Sequence, residues 1–246
     1  MSSSHRSRAS RPILLAGLLA LLALGPGAQV AGADASLRSV AARVQTIGSG
    51  SLNRTVVVRS APRRHARRVT VLREFRSDYR PQVVLAIGSI RDERTGAPSW
   101  YRIVVPGRPN GRRGWIPAGA ATIAPNNRLI TIDRSRRRLA LWQGRRRLLS
   151  TTVAVGARGM ETPLGLFYVT WEFVPRAQIL GAYAFETSAY SNLSEWPGGG
   201  IVGIHGTPWP WLLGQAVSHG CVRVHNRDIL RLRRLVRVGT PIKIVA

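Results

Sequence analysis

One cysteine lies in a sequence setting that suits nucleophilic chemistry. Cys221 is the only cysteine of the 246 residues, and it lies in the segment Val217–Arg223, two residues after His219. A second histidine, His205, lies upstream in a Gly-Ile-His-Gly-Thr segment. A thiol attacks as its thiolate, and a nearby imidazole can lower the thiol pKa, accept its proton and return it to a leaving amine. The pattern predicts Cys221 as a nucleophile with a histidine partner.

The residues around this cysteine suit a substrate pocket. Gly220 allows the backbone to approach a substrate closely, and the amides of Gly220 and Cys221 could stabilise a developing oxyanion. Arg223 offers a cation to an anionic group of the substrate. A buried structural cysteine is the alternative, but the nearby histidines favour reactivity.

A metal site is a further alternative for these side chains. Three histidines, His205, His219 and His225, fall close to the thiol and could hold zinc with an open position. Their spacing matches no familiar zinc framework, and no acidic residue lies near His205 to orient it. A single cysteine also excludes an iron–sulfur cluster and an intrachain disulfide. We expect no metal and no cofactor.

Two motifs at these residues resemble a known enzyme family. His205–Thr207 and Ser218–Arg223 together are similar to the paired signature of the YkuD-type L,D-transpeptidases. Upstream, Glu161–Tyr168 is similar to the TPxGxF segment of that family. The resemblance covers about half of the chain, so a catalytic domain is expected over residues 127–246.

The resemblance implies a β-rich catalytic domain acting on peptidoglycan, in cell-wall biogenesis and cell shape. Cys221 would attack the bond between the third, diamino residue and the terminal D-alanine of a tetrapeptide stem. D-alanine leaves, a thioester forms, and an amine of a neighbouring stem resolves it into a cross-link. His205 matches the general base and acid, and His219 joins these two as a catalytic candidate. The candidates for holding substrate or oxyanion are Gly220, Ser218, Arg223, Gly206 and Thr207.

One position departs from part of the family. Some members have a serine after the first histidine, which orients the imidazole, whereas this chain has Gly206. As in the many members with glycine, only a backbone carbonyl could orient His205 from that position. His225 receives no role from the resemblance.

Two other functions remain open at this point. An L,D-carboxypeptidase or endopeptidase would share the thioester step and use water as the acceptor, which makes it a hydrolase. Papain-like wall peptidases place their cysteine before their histidine, whereas His205 precedes Cys221 here. A catalytically inactive wall-binding protein is the second alternative, and the intact Cys221, His205 and His219 argue against it.

The elements that must position these residues are mainly strands. Leu139 and Leu141 alternate with Arg138 and Ala140, which predicts a half-buried strand. A helix is predicted from Asn226 as N-cap, with Asp228 in its first turn. Its apolar face consists of Ile229, Leu232, Leu235 and Val236. The predicted strands are Leu129–Asp133, Arg138–Gln143, Leu148–Val155, Gly165–Phe173 and Ile242–Val245.

Export is predicted from the first 33 residues. Met1–Pro12 carries three arginines and no acid, Ile13–Leu24 is apolar, and Ala31–Ala33 offers a small-residue cleavage site. An uncleaved anchor is the alternative, but the apolar run is short for a bilayer span of roughly 20 residues. We expect a signal peptide over 1–33 and a small, polar tether over 34–52, weakly helical at Leu37–Val44.

A small all-β domain is predicted over residues 53–123. Short strand-like runs are divided by turn residues at a spacing typical of a small barrel. Thr55–Pro62, Trp100–Ile103 and Gly111–Ile116 resemble the bacterial Src-homology-3-like wall-targeting domain. A structural β cap without a ligand is the alternative. The predicted strands are Thr55–Arg59, Val69–Leu72, Val83–Ile87, Trp100–Val105 and Gly114–Pro117.

The charge of the chain points to an anionic partner. Lysine and arginine total 37 against 11 acidic residues, a net charge of +26, and every basic residue except Lys243 is arginine. Because an exported protein rarely meets nucleic acid, we expect no nucleic-acid partner. Peptidoglycan stem peptides, anionic wall polymers and membrane head groups fit better. The expected location is the cell wall or periplasm.

Overall fold

The structure is a computed structural model that describes residues 26–195 and 198–246. Most of the predicted signal peptide, residues 1–25, lies outside the described residues. The α-helices in the described residues are α1 (Pro26–Arg43) and α2 (Asn226–Leu235). The strands of the first half are β1 (Gly48–Ser51), β2 (Val56–Arg59), β3 (Arg68–Leu72), β4 (Val83–Arg91), β5 (Pro98–Val104) and β6 (Arg113–Pro117). Those of the second half are β7 (Arg128–Asp133), β8 (Arg138–Gln143), β9 (Arg146–Thr152), β10 (Val155–Gly156), β11 (Gly165–Phe173), β12 (Ala184–Tyr190), β13 (Ile201–His205), β14 (Ala216–Ser218), β15 (Val222–Arg223) and β16 (Pro241–Val245). The expectation of a mainly β protein is confirmed.

The first six strands form an antiparallel sheet in the order β1-β4-β5-β6-β2-β3. All five strands predicted there are present. Alternate residues of these strands face inward, as Val56 and Val58 do in β2, and they pack with Ile103 and Ile116 into one apolar core. We call this part, residues 48–124, the N-terminal unit.

The segment 34–52 differs from the predicted tether. Residues 48–51 of this segment form β1, which pairs with β4 at the edge of the N-terminal unit. The first part of the segment belongs to α1, where Leu37 is fully buried against Ala140 and Trp142. The prediction missed β1 because Gly-Ser-Gly-Ser has no apolar side chain. The weak helix predicted at Leu37–Val44 is present as the last part of α1, which ends at Arg43.

An eight-stranded sheet forms the second half of the chain. Its strand order is β15-β13-β12-β11-β16-β7-β8-β9, with β13 and β15 parallel and β16 and β7 parallel. The predicted half-buried alternation in β8 is wrong, since Leu139 to Trp142 are all buried. Helix α1 covers the face that was predicted to meet solvent. The predicted Leu148–Val155 strand is divided into β9 and β10.

Helix α2 buries Ile229 and Leu232 in the core of this sheet, as its apolar face predicted. Its N-cap is His225 rather than Asn226, because the Nδ1 atom of His225 accepts a hydrogen bond from the Arg227 amide at 3.2 Å. The first-turn Asp228 is present as predicted, and its carboxylate accepts a hydrogen bond from the buried Thr151 hydroxyl at 2.8 Å.

The two halves share a small apolar core. Val83, Leu85 and Val104 of the N-terminal unit pack against Tyr168 of β11. The Tyr168 hydroxyl donates a hydrogen bond to the Val83 carbonyl at 2.9 Å. Within the part of the chain that the structure describes, no helix is long and apolar enough to cross a membrane.

Candidate active site

Parallel pairing of β13 and β15 brings the predicted nucleophile and base to one place. Ile204 pairs with Val222 and His205 with Arg223, so Cys221 lies beside Gly203, immediately before β15. The Gly203 amide donates a hydrogen bond to the Cys221 Sγ atom at 3.3 Å. A Cβ atom on Gly203 would lie 3.8 Å from the His205 ring and 3.9 Å from Sγ. Gly203 therefore lies in van der Waals range of both the imidazole and the thiol.

His205 is buried, and its tautomer follows from its hydrogen bond. Its Nδ1 atom lies 2.6 Å from the Gly206 carbonyl oxygen. Because a carbonyl only accepts hydrogen bonds, Nδ1 carries the proton and Nε2 keeps its lone pair. Burial lowers the pKa of His205 to about 4, against the smaller opposing effect of this hydrogen bond. The imidazole is therefore neutral at pH 7, and the backbone carbonyl orients it as predicted.

The Cys221 thiol is also uncharged at rest. Burial raises its pKa above the ordinary value, while the Gly203 hydrogen bond and the Arg223 charge lower it to a smaller extent. The expectation that the imidazole lowers the thiol pKa does not hold, because a neutral His205 supplies no positive charge. The site holds a neutral thiol–imidazole pair.

The turn before Cys221 is held by the Ser218 side chain. Its hydroxyl donates to the Cys221 carbonyl at 2.6 Å and accepts from the Gly220 amide at 3.2 Å. Gly220 has a φ of 113°, and a Cβ atom there would lie 2.9 Å from Ser191. Since the Gly220 amide is engaged, the Cys221 amide is the better oxyanion donor. It has no hydrogen-bond acceptor among the described residues.

Thr162 is a further supporting residue, and the sequence motif gave it no role. Its hydroxyl is fully buried, accepts from the Gly156 amide at 2.9 Å and donates to the Gly220 carbonyl at 2.9 Å. It links the loop before β11 to the turn that precedes Cys221. Its place in the TPxGxF-like segment was the available signal.

Gly206 and Thr207 lie behind the pocket rather than in it. The Asn226 Oδ1 atom accepts from the amides of Ala182 and Thr207, at 3.0 and 3.2 Å. A Cβ atom on Gly206 would overlap this Asn226 oxygen. Thr207 is buried and its hydroxyl accepts from the Trp209 amide. The Gly206 carbonyl orients His205, and Thr207 is held by Asn226. Substrate contacts of these two residues stay a prediction.

A pocket of about 420 Å³ opens over the pair. Arg223 lines it, and its Nε atom is buried without a hydrogen-bond partner in the described parts of the chain. Glu186 also lines it and forms ion pairs with Arg76 and Arg80 of the N-terminal unit, at 3.1 and 2.9 Å. Other lining residues are Phe173, Ala177, Ile179, Leu180, Ala184, Phe185, Gly198, Ile201, Gly203, His205, Ser218, His219 and Cys221.

The three histidines do not form one cluster. His219 is half-buried at the pocket beside Cys221, whereas His225 caps helix α2. In residues 26–195 and 198–246, no three histidine, cysteine or acidic side chains are grouped to hold a metal ion.

Comparisons with known proteins agree on one family. The model of the YkuD L,D-transpeptidase catalytic domain matches residues 127–244. A Bacillus licheniformis protein named as the L,D-transpeptidase YkuD is 33% identical over 138 residues, covering 53% of this chain and 78% of its own. The Bacillus subtilis protein of that name is 28% identical over 173 residues, covering 70% of this chain and 92% of its own.

Among solved structures, an L,D-transpeptidase from Mycobacterium tuberculosis H37Rv is similar over 82% of this chain and 99% of its own. The identity is 13% and the TM-score is 0.46. The two sequence matches cover most of the length of their relatives. The matched family domain, residues 127–244, includes His205 and Cys221. The chain belongs to the YkuD L,D-transpeptidase family of enzymes.

Proposed function

We propose that this enzyme is an exported L,D-transpeptidase that cross-links peptidoglycan through a thioester on Cys221. The main support is the neutral pair in one pocket, with Nδ1 of His205 protonated towards Gly206 and Nε2 left as a base. Peptidoglycan lies outside the cytoplasmic membrane, which agrees with the proposed signal peptide over residues 1–33.

Acylation begins with proton transfer from the Cys221 thiol to Nε2 of His205. The sulfur attacks the carbonyl carbon of the diamino residue at stem position three, and the Cys221 amide stabilises the oxyanion. Collapse breaks the peptide bond, and the nitrogen of the departing D-alanine takes the proton from Nε2. The thioester remains on Sγ. Arg223, cationic and half-buried at the pocket, suits a carboxylate of the stem.

Deacylation reverses the roles of the same groups. The side-chain amine of a neighbouring stem attacks the thioester carbonyl, and Nε2 of His205 accepts one of its protons. Sulfur then leaves and is reprotonated by the imidazolium, which restores the neutral pair. His219 lines the pocket beside Cys221, which supports a proposed contact with the donor or acceptor.

The N-terminal unit is proposed to bind the wall, in line with its resemblance to a wall-targeting domain. It also borders the catalytic half directly, because Arg76 and Arg80 pair with Glu186 at the pocket. Binding to an anionic wall suits the net charge of +26, of which +23 remains once the proposed signal peptide and its three arginines are removed.

Product analysis tests this function. The protein is incubated with disaccharide-tetrapeptides, and Cys221→Ala is the matched control. We expect the wild type to form cross-linked dimers that have lost one D-alanine, and we expect the variant to form none. Disaccharide-tripeptide alone would mean that water is the acceptor and that the enzyme is a carboxypeptidase. Unchanged substrate would mean that the chain binds the wall without reacting with it.

A further inference from the structure

A second cavity lies at the junction of the two halves, away from Cys221. Its volume is about 530 Å³, within the range of small-molecule sites. It is lined by the end of helix α1, strands β4, β5 and β6 of the N-terminal unit, and strands β11 and β16 of the catalytic sheet.

Every ionisable side chain that lines this cavity is a cation. The four are Arg43 of α1, Arg102 of β5, Arg113 of β6 and Lys243 of β16. Strand register explains the convergence: Arg102 pairs with Trp115, two residues from Arg113, so both arginines lie on one face of the sheet. Lys243 pairs with Leu166, which also lines the cavity.

None of these four cations forms an ion pair with an acidic side chain of the described residues. No ion pair and no side-chain hydrogen bond involves any of the four there, although other arginines of the N-terminal unit are paired. Four like charges around one cavity repel each other, and an anion between them would remove that cost.

The geometry points to a phosphate ester as the ligand. We propose that this cavity, which we call the junction site, binds the phosphate of a polyol phosphate unit such as those of anionic wall polymers. A tetrahedral phosphate offers several oxygens to cations that arrive from different directions, and guanidinium groups bind it in a bidentate manner. The volume leaves room for a polyol, and Ile87, Leu166 and Val245 offer apolar wall for its carbons.

The junction site is independent of the proposed thioester chemistry. Its cations lie on both halves of the molecule and none of them lines the pocket of Cys221. A bound phosphate would therefore bridge the N-terminal unit and the catalytic sheet and hold the enzyme on the polymer.

Titration with sn-glycerol 3-phosphate at about 0.15 M salt, where the Debye length is about 8 Å, tests this site. We compare the full-length protein with Arg102→Gln/Arg113→Gln. The matched control, Arg63→Gln/Arg64→Gln, removes the same charge from an exposed turn outside the cavity. We expect saturable binding. The first pair of substitutions should weaken it at least tenfold and the control pair less than twofold. Lys243→Gln, on the other sheet, should weaken binding at least threefold.

Equal weakening by both pairs, or binding that does not saturate, would overturn the proposal in favour of general surface charge. Inorganic phosphate binding as tightly as glycerol phosphate would overturn its polyol part. Melting temperatures without ligand show whether the variants fold, and Lys243→Gln keeps the test decisive if the double variant does not. Cys221→Ala should bind as the wild type does, so failure of the proposed catalysis leaves this result unaffected.

Discussion

At the scale of residues, the resting charge of Cys221 decides how it reacts with simple electrophiles. Burial raises the pKa of the thiol, and His205, with a pKa of about 4, stays neutral and does not draw its proton away. Below its own pKa the thiol is protonated, so the thiolate fraction rises with each increase in pH towards and beyond 9.

We therefore expect the rate of Cys221 alkylation by iodoacetamide to rise about tenfold per pH unit from pH 6 to 8. Mass spectrometry of quenched samples measures it, with Cys221→Ala as the blank. A rate that is level from pH 5 upward would instead indicate a thiolate–imidazolium pair and contradict the neutral pair.

The Thr162 hydroxyl holds the turn that precedes the proposed nucleophile Cys221. Replacing it with valine keeps the shape but leaves the buried Gly156 amide and Gly220 carbonyl without their partner. Each loss costs about 1–3 kcal/mol, so Thr162→Val should lower the free energy of unfolding by about 2–6 kcal/mol. Urea unfolding measures this. Thr162→Ser keeps the hydroxyl and should stay within about 1.5 kcal/mol of wild type; equal losses in both variants would refute the hydroxyl's role.

The meeting of Cys221 and His205 in one pocket could be expected from sequence, because both side chains have intrinsic reactivity and lie in neighbouring motifs. Sequence alone could not place Gly203 and Asn226 in the site. The role of Gly203 depends on the β13–β15 register, and that of Asn226 on two amides distant in sequence. Sequence could not indicate that the Cys221 pKa is raised, because burial, the largest cause of the shift, is a property of the folded chain.

At the scale of elements, a loop of the N-terminal unit holds the end of strand β12. The Asn110 side chain donates to the Tyr190 carbonyl at 2.6 Å and accepts from the Tyr190 amide at 3.0 Å. Arg108 donates to the Ser191 carbonyl at 2.8 Å and lies over the Tyr190 ring. The segment that follows contributes Gly198 to the active-site pocket.

Asn110→Ala should therefore loosen this segment and raise KM for a tetrapeptide donor at least threefold, with kcat within twofold. A more mobile pocket segment must be ordered each time a donor peptide binds, whereas the Cys221–His205 geometry is unchanged. Steady-state kinetics measure the two constants. Asn53→Ala, which removes an exposed side-chain hydrogen bond to Thr122, is the control and should change neither. Identical kinetics in both variants would show that the loop does not shape the pocket.

Elements with a clear pattern were predictable, and those defined by their neighbours were not. Strand β11 was predicted with its observed bounds because it is an apolar, aromatic-rich run. Strand β12 mixes three strand-favouring residues, Phe185, Thr187 and Tyr190, with two alanines, a glutamate and a serine, so its intrinsic strand signal is weaker. It is a strand because β11 and β13 pair with it on both sides.

At the scale of the whole molecule, the two halves should unfold together. Tyr168 is buried against Val83, Leu85 and Val104, and separating the halves would expose this shared core. The Glu186 ion pairs with Arg76 and Arg80 cross the same junction.

Differential scanning calorimetry should therefore show one transition, with calorimetric and van't Hoff enthalpies equal within about 10%. Two resolved transitions would show that the contacts at the junction are too weak to couple the halves. Sequence could not predict this coupling. Tyr168 lies in the catalytic half, and no local pattern shows that its partners belong to the other sheet.

The thioester itself is the most direct test of the proposed enzyme. Wild-type protein mixed with a disaccharide-tetrapeptide and quenched in acid should gain the mass of the donor less D-alanine, on the peptide that contains Cys221. Cys221→Ala should gain nothing, and His205→Gln should acylate at least a hundredfold more slowly, since it lacks the base. Cross-linked product from wild type without this adduct, or an adduct that persists in Cys221→Ala, would contradict the assignment of Cys221 as the nucleophile.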